Sequence, residues 1–157
     1  MRPTPDRVRE TLFNWLGQDL TGKRCLDLFA GSGALGFEAA SRGAADVIMV
    51  EQSRAVCRTL QQNIDKLDFD NVVLRNEDGM SFASRSNEQF DVIFIDPPFK
   101  SNYLEKLLPL LVRQLGPEGS LYIESGTAFD AGATWTVIRQ DKAGAVHYQL
   151  LQSGQND

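Results

Sequence analysis

Residues 25–36 read CLDLFAGSGALG, and this stretch determines the predicted fold. Its first part, Cys25–Phe29, is a short apolar run typical of a buried strand, and Gly31–Gly36 then match the pattern G-x-G-x-x-G. Leu35–Ser41 continues as a helix that Gly43 ends. A strand that passes through a glycine-rich turn into a helix is typical of an α/β sheet with a ligand site at its carboxyl edge.

The same alternation continues along the chain. The patterns predict further strands at 47–50, 72–75, 90–95 and 120–124, and further helices at 4–17, 53–67 and 103–115, with a short helix before residue 90. Pro109 should kink or break the last helix, and Gly116–Gly119 reads as a turn. Trp135–Gln140 and Val146–Gln152 alternate around Lys142-Ala143-Gly144, which predicts an antiparallel hairpin.

This order of elements predicts the fold class. Strands that alternate with helices and carry continuous apolar runs form a parallel sheet with helices on both faces, here with an antiparallel hairpin at the end. The length of 157 residues predicts a single domain, residues 1–157. We therefore expect the ligand site where the strands end, since ligands bind there in open α/β sheets.

Composition excludes several classes of protein. The chain has two cysteines and one histidine, His147, so we expect no metal site and no catalytic Ser–His or Cys–His pair. Cys25 and Cys57 are expected to be reduced, buried or half-buried thiols. No apolar run is long enough to span a membrane. The formal charge of −5 argues against nucleic-acid binding by bulk electrostatics alone.

Acidic residues follow the predicted strands, and they bear on which ligand the glycine turn binds. A tight turn without a ligand, a dinucleotide site and an S-adenosylmethionine site all fit the glycines. Asp27 would lie close to the pyrophosphate of a dinucleotide, whereas it could accept a hydrogen bond from the ammonium of S-adenosylmethionine. Glu51 could bind ribose hydroxyls in either cofactor, and Asp78 could accept from an adenine amino group. The acidic surroundings favour the sulfonium cofactor.

Asp96-Pro97-Pro98-Phe99 follows the most apolar strand and indicates the reaction. An exocyclic amino group on a base is a poor nucleophile, because its lone pair is delocalised into the ring. Asp96 and a backbone carbonyl fixed by the two prolines could accept its N–H bonds and direct the lone pair toward a methyl group. Phe99 offers a ring on which an extruded base could stack.

These motifs resemble a known family. Residues 2–14, RPTPDRVRETLFN, together with residues 25–36, 96–99 and 121–124, are similar to the RsmD-type small-subunit ribosomal RNA guanine-N2 methyltransferases. The resemblance implies a Rossmann-like class I methyltransferase fold, with a mostly parallel seven-stranded sheet and S-adenosylmethionine as cofactor without a metal. It implies cofactor contacts from Thr4, Arg7, Asp27, Phe29, Ala30, Gly31, Ser32, Gly33, Glu51, Gln52, Asp78, Gly79 and Met80, and a catalytic group of Asp96, Pro97, Pro98 and Phe99.

The resemblance also implies partners and leaves alternatives open. It implies ribosomal RNA within the small ribosomal subunit as substrate, a monomer, a cytoplasmic location and no membrane. In that family a basic hairpin precedes the Arg-Pro-Thr block, and its absence here would weaken RNA docking while sparing cofactor binding. An adenine-N6 DNA methyltransferase, a non-catalytic cofactor-binding module and an NAD-dependent oxidoreductase are the alternatives.

Overall fold

The computed structural model describes residues 5–96, 101–126 and 129–153 of the chain. Helices and strands alternate through these residues from the first helix to the fifth strand, and a hairpin follows. The helices are α1 (Asp6–Leu16), α2 (Ala34–Ser41), α3 (Arg54–Lys66), α4 (Gly79–Arg85) and α5 (Ser101–Leu111), and a 3₁₀ turn spans Val112–Gln114. The strands are β1 (Arg24–Asp27), β2 (Asp46–Glu51), β3 (Val72–Asn76), β4 (Phe90–Ile95), β5 (Leu115–Ser125), β6 (Trp135–Ala143) and β7 (Val146–Ser153).

The seven strands form one sheet in the order β3-β2-β1-β4-β5-β7-β6. Strands β1 to β5 run parallel to one another, whereas β7 lies antiparallel to both β5 and β6. This confirms the predicted, mostly parallel sheet with a C-terminal antiparallel hairpin. Strand order reverses between β1 and β4, and the crevice at such a switch point is where α/β sheets bind ligands.

Two apolar cores cover the two faces of the sheet, as the continuous apolar strands predict. On one face, Cys25, Met49, Phe94 and other strand residues pack with helices α1, α2 and α3. On the other face, residues such as Leu26 and Ile93 pack with helices α4 and α5. The sheet is therefore enclosed by helices on both faces, and its carboxyl edge is where polar side chains collect.

Helix α5 is not broken at Pro109, and it ends earlier than predicted. The helix continues through Pro109 and ends at Leu111, followed by the 3₁₀ turn. Proline removes one backbone hydrogen bond of a helix. The buried side chains of Leu107, Leu108 and Leu111 on either side of it offset that loss by packing against the sheet.

The predicted turn at Gly116–Gly119 is an irregularity inside strand β5. Phe90 pairs with Leu115 and Val92 pairs with Ser120, so the residues between Leu115 and Ser120 bulge from the ladder. Strand β6 likewise reaches Ala143, and the turn of the hairpin is Gly144-Ala145, where Gly144 has φ +62°. The glycine-rich residues in both places do bend the chain, but pairing with the neighbouring strand extends further than their sequence suggests.

Cys25 and Cys57 are buried free thiols, which confirms the prediction for both. In the part of the chain that the structure describes, no helix is long and apolar enough to cross a membrane.

Candidate active site

The end of strand β1 places Asp27 at the centre of the carboxyl edge. Its side chain is 4% exposed, and one carboxylate oxygen accepts the backbone N–H of Gly36 at 3.1 Å. A side chain at position 36 would put its Cβ 2.5 Å from Met49 Cε and 3.0 Å from that same oxygen. Only glycine therefore lets the first turn of helix α2 approach Asp27 this closely.

The pKa of Asp27 is raised to about 7, mainly by burial; the hydrogen bond from the Gly36 N–H lowers it, and the charge of Glu51 raises it. A carboxylate this hard to ionise favours a cationic or hydrogen-donating ligand, because such a ligand stabilises the charged form.

The glycine turn between β1 and α2 adopts a conformation that requires glycine. Gly33 has φ +83°, and a Cβ there would lie 2.5 Å from the ring of Phe37. The backbone N–H of Gly31 donates to the carboxylate of Glu51 at 2.9 Å. In a dinucleotide site the turn's N–H groups face a phosphate. Here one of them is held by an acid, which would repel a phosphate.

Glu51 at the end of β2 is fixed through both carboxylate oxygens. Oε1 accepts from the Gly31 N–H and Oε2 accepts from the Ser53 N–H, each at 2.9 Å. A carboxylate has about four acceptor sites. The two sites that these bonds leave can accept the two adjacent hydroxyls of a ribose, so the geometry fits the predicted role.

Asp78 follows strand β3 and caps helix α4. Its Oδ2 accepts the backbone N–H of Ser81 at 3.0 Å and the Ser81 hydroxyl at 3.2 Å. Next to it, a Cβ on Gly79 would lie 2.7 Å from the ring of Phe29, whose centroid is 5.9 Å from that of Tyr103. The sequence located Asp78 at the strand end and predicted a short helix before residue 90, but it did not identify Asp78 as the residue that caps this helix.

The other predicted cofactor residues lie around this edge with varied exposure. The Ala30 N–H donates to the Val50 carbonyl at 3.0 Å, so this residue shapes the turn through its backbone. Met80 packs beside the core, while Gln52, Ser32 and Arg7 are exposed. Arg7 lies in the first turn of α1. Thr4, Pro97, Pro98 and Phe99 lie outside the described residues, so within the tetrapeptide the structure describes Asp96.

Asp96 directly follows strand β4, next to an acid that the sequence reasoning did not assign to the site. Phe94 pairs with Tyr122, and Ile95 with Ile123, so one residue further the register sets Asp96 beside Glu124. Glu124 is 6% exposed, and its Oε2 accepts the Tyr122 hydroxyl at 2.8 Å. An acid after an apolar strand is the same signal that singled out Asp27, Glu51 and Asp96.

The pKa of Asp96 is raised to about 8, first by burial and then by the charges of Glu124 and Asp27. Burial and Glu124 also hold the pKa of the Tyr122 hydroxyl above its usual range, so that it stays a hydrogen-bond donor. Perturbed acids gathered in a crevice are typical of functional sites. Among the described residues, no three His, Cys, Asp or Glu side chains are placed to hold a metal ion.

The reversed strand order, the glycine turn and the acids at successive strand ends define a Rossmann-like methyltransferase fold and site. A family model described as "Conserved hypothetical protein 95" matches residues 1–152. The chain is 42% identical over 157 residues to ribosomal RNA small subunit methyltransferase D of Escherichia coli, covering 97% of this chain and 79% of that protein. The chain belongs to this family of RsmD-type methyltransferases.

Solved structures agree with the assignment. The Escherichia coli protein yhhF superimposes with a TM-score of 0.90 at 40% identity, covering 99% of this chain and 90% of that one. An RNA methyltransferase of Salinibacter ruber, solved with S-adenosyl-L-homocysteine, gives a TM-score of 0.77 over 95% of this chain and 92% of its own. At 20% identity, this second structure supports the fold alone.

Proposed function

We propose that this protein transfers a methyl group from S-adenosylmethionine to the exocyclic N2 amino group of a guanine in small-subunit ribosomal RNA. The observation that carries the proposal is the row of acids at the ends of β3, β2, β1 and β4. Asp78, Glu51 and Asp27 fit a cofactor, and Asp96 is the next acid along the edge of the sheet, where the methyl acceptor would lie. The names of the relatives with which the chain shares its family support ribosomal RNA as the substrate.

The residues present fit S-adenosylmethionine. Asp27 would accept from its ammonium, Glu51 from its ribose hydroxyls and Asp78 from its adenine amino group. The turn of residues 29–33 would lie against the cofactor, and Gln52, Gly79 and Met80 would surround its adenine. Thr4 and Arg7 would close the pocket. When bound, the cofactor supplies a methyl group on a sulfonium, and its positive charge offsets the buried acids.

Asp96 prepares the acceptor nitrogen. Its carboxylate accepts one N–H bond of the amino group, and the backbone carbonyl at the two prolines accepts the other. The nitrogen lone pair then points at the methyl carbon, and the positive charge that develops on nitrogen lies beside a carboxylate. The nitrogen afterwards loses a proton, which Asp96 or water can accept. Phe99 would stack on the base.

The proposal includes the setting of the reaction. Residues 1–157 act as one methyltransferase domain, the protein works as a monomer in the cytoplasm, and the RNA is presented within the small ribosomal subunit. An assembled subunit would supply the docking surface that an acidic chain, with its formal charge of −5, does not supply by electrostatics.

Transfer of tritiated methyl groups tests the proposal. Purified protein and labelled S-adenosylmethionine are mixed with small ribosomal subunits, naked small-subunit RNA or DNA that lack the modification. We expect label in the ribosomal RNA, highest with subunits, and none in DNA. Label in DNA alone would refute the proposal. Calorimetric binding of NAD instead of S-adenosylmethionine would refute the cofactor assignment.

A further inference from the structure

The order of the strand ends fixes the side of Asp96 on which the target base must lie. Along the sheet, β3, β2 and β1 carry the acids assigned to the cofactor, and β4 carries Asp96. The next strand end beyond Asp96 is that of β5, which carries Glu124. Since the cofactor fills one side of Asp96, the base whose amino group Asp96 holds extends toward Glu124.

Glu124 and Asp96 face the same side of the sheet. The rings of Phe94 and Tyr122 meet edge to face with centroids 6.4 Å apart, and side chains two residues further along a strand return to the same face. Adjacent strands lie about 4.8 Å apart, so the two carboxylates can reach neighbouring atoms of one ligand. The two acids therefore lie side by side at the base site.

The surroundings of Glu124 hold its carboxylate in one orientation. The hydroxyl of Tyr122, a fully buried residue, donates to Oε2 at 2.8 Å, and the Tyr122 ring packs between those of Phe94 and Tyr148. Two carboxylates side by side favour a ligand whose facing edge carries hydrogen-bond donors.

Guanine presents donors in this arrangement. Its Watson–Crick edge carries the N1–H next to the N2 amino group, whereas an adenine presents an N1 lone pair next to its amino group. Enzymes that act on extruded bases read this edge by hydrogen bonds. We propose that Glu124 is a specificity-determining residue, which accepts the N1–H of the target guanine while Asp96 accepts an N–H of its N2 amino group. This inference rests on the proposed function.

A purely structural role for Glu124, in which it serves only as the partner of Tyr122, makes a different prediction. Glu124→Gln keeps the size and an acceptor for the Tyr122 hydroxyl, but its amide can donate to a lone pair. A structural role would leave the choice between bases unchanged, whereas direct reading of N1 would alter it.

The test compares guanosine with 2-aminopurine riboside at the target position of small-subunit RNA, after the modified nucleotide has been mapped. 2-Aminopurine keeps the amino group at C2 and has a lone pair at N1. For wild type and Glu124→Gln, the ratio of kcat/KM on the two RNAs is measured, so that intrinsic reactivity of the bases cancels between the enzymes. Glu118→Gln, in the bulge at the opposite edge of the sheet, serves as the control.

We expect the preference of the wild type for guanosine to fall at least about tenfold in Glu124→Gln and to stay unchanged in Glu118→Gln. Tyr122→Phe, which keeps the carboxylate but removes its donor, should shift the ratio less and in the same direction. If the ratio is unchanged in Glu124→Gln and in Tyr122→Phe while the wild type still methylates guanosine RNA, this inference alone is overturned. Failure of the wild type to methylate guanosine RNA would overturn the proposed function as well.

Discussion

The two halves of the crevice hold their acids differently. On the half proposed to bind the cofactor, here called the cofactor half, Asp27, Glu51 and Asp78 each accept a backbone N–H from the turn or the first helical turn that follows a strand. On the acceptor half, Glu124 accepts from a tyrosine hydroxyl, and its charge helps to raise the pKa of Asp96 to about 8. The first half is thus shaped by backbone N–H groups, whereas in the second the two acids lie on neighbouring strands and one raises the pKa of the other.

The largest expected effect separates the two halves. Asp96→Ala should lower methyl transfer by about 10³-fold or more, since it removes the acceptor that orients the amino group. Cofactor affinity should stay within about threefold, because the three acids of the other half are intact. Calorimetry with S-adenosylmethionine and single-turnover transfer measure the two effects, with Asp70→Ala as an exposed control. Equal losses of cofactor affinity and of methyl transfer in Asp96→Ala would show that the two halves do not act separately.

The pH dependence of the reaction should report the acceptor half. The ionised form of Asp96 is the stronger acceptor, and its pKa is raised to about 8, so kcat/KM should rise with pH up to about pH 8 and then level off. Glu124→Gln removes a neighbouring like charge and should move the midpoint to lower pH. A profile that is flat from pH 6 to pH 9 would contradict this assignment of Asp96.

A substitution on the cofactor half should have a smaller effect, and it should change cofactor affinity more than the rate of methyl transfer. Glu51→Ala removes the proposed ribose acceptor and leaves the N–H groups of Gly31 and Ser53 without their carboxylate. We expect the Kd for S-adenosylmethionine to rise about 10- to 50-fold, while transfer at saturating cofactor changes little. Glu105→Ala, an exposed acid on α5, is the control. A loss of kcat at an unchanged Kd would show that Glu51 acts on the methyl acceptor and not on the cofactor.

The smallest expected effect concerns stability. A carboxyl whose pKa is raised by folding, as that of Asp96 is, stabilises the fold only while protonated, and this contribution is lost as the pH rises through about 8. Asp96→Asn should therefore gain about 1–2 kcal/mol over the wild type in unfolding free energy between pH 7 and pH 9. Denaturant unfolding at the two pH values measures this. A stability difference that does not change with pH would contradict the raised pKa.

Much of the cofactor half could be predicted from the sequence, because its signals are local. An apolar strand that ends in Asp27 and a glycine turn, or in Glu51 before the helix cap Ser53, is read within a few residues. The Ser53 hydroxyl does accept the Val56 N–H, as a cap should. The hydrogen bond from Gly31 to Glu51 joins residues 20 positions apart, and it was not predictable from either motif alone.

The acceptor half was harder to predict because it depends on strand order and register. Asp96 was singled out by its tetrapeptide, but its neighbour Glu124 comes from another strand, and only the pairing of β4 with β5 brings them together. The bulge at Gly116–Gly119 adds to the difficulty, since it shifts that register by residues that read as a plain turn. Packing against the sheet likewise let α5 continue through Pro109.

The identity of the methylated nucleoside decides whether Asp96 holds the N2 amino group of a guanine. Small-subunit RNA labelled by the wild-type protein is digested to nucleosides, and the tritiated product is separated and identified. A crevice that holds an amino group at Asp96, with the base lying toward Glu124, predicts N2-methylguanosine as the product. N6-methyladenosine as the sole labelled nucleoside would contradict the account.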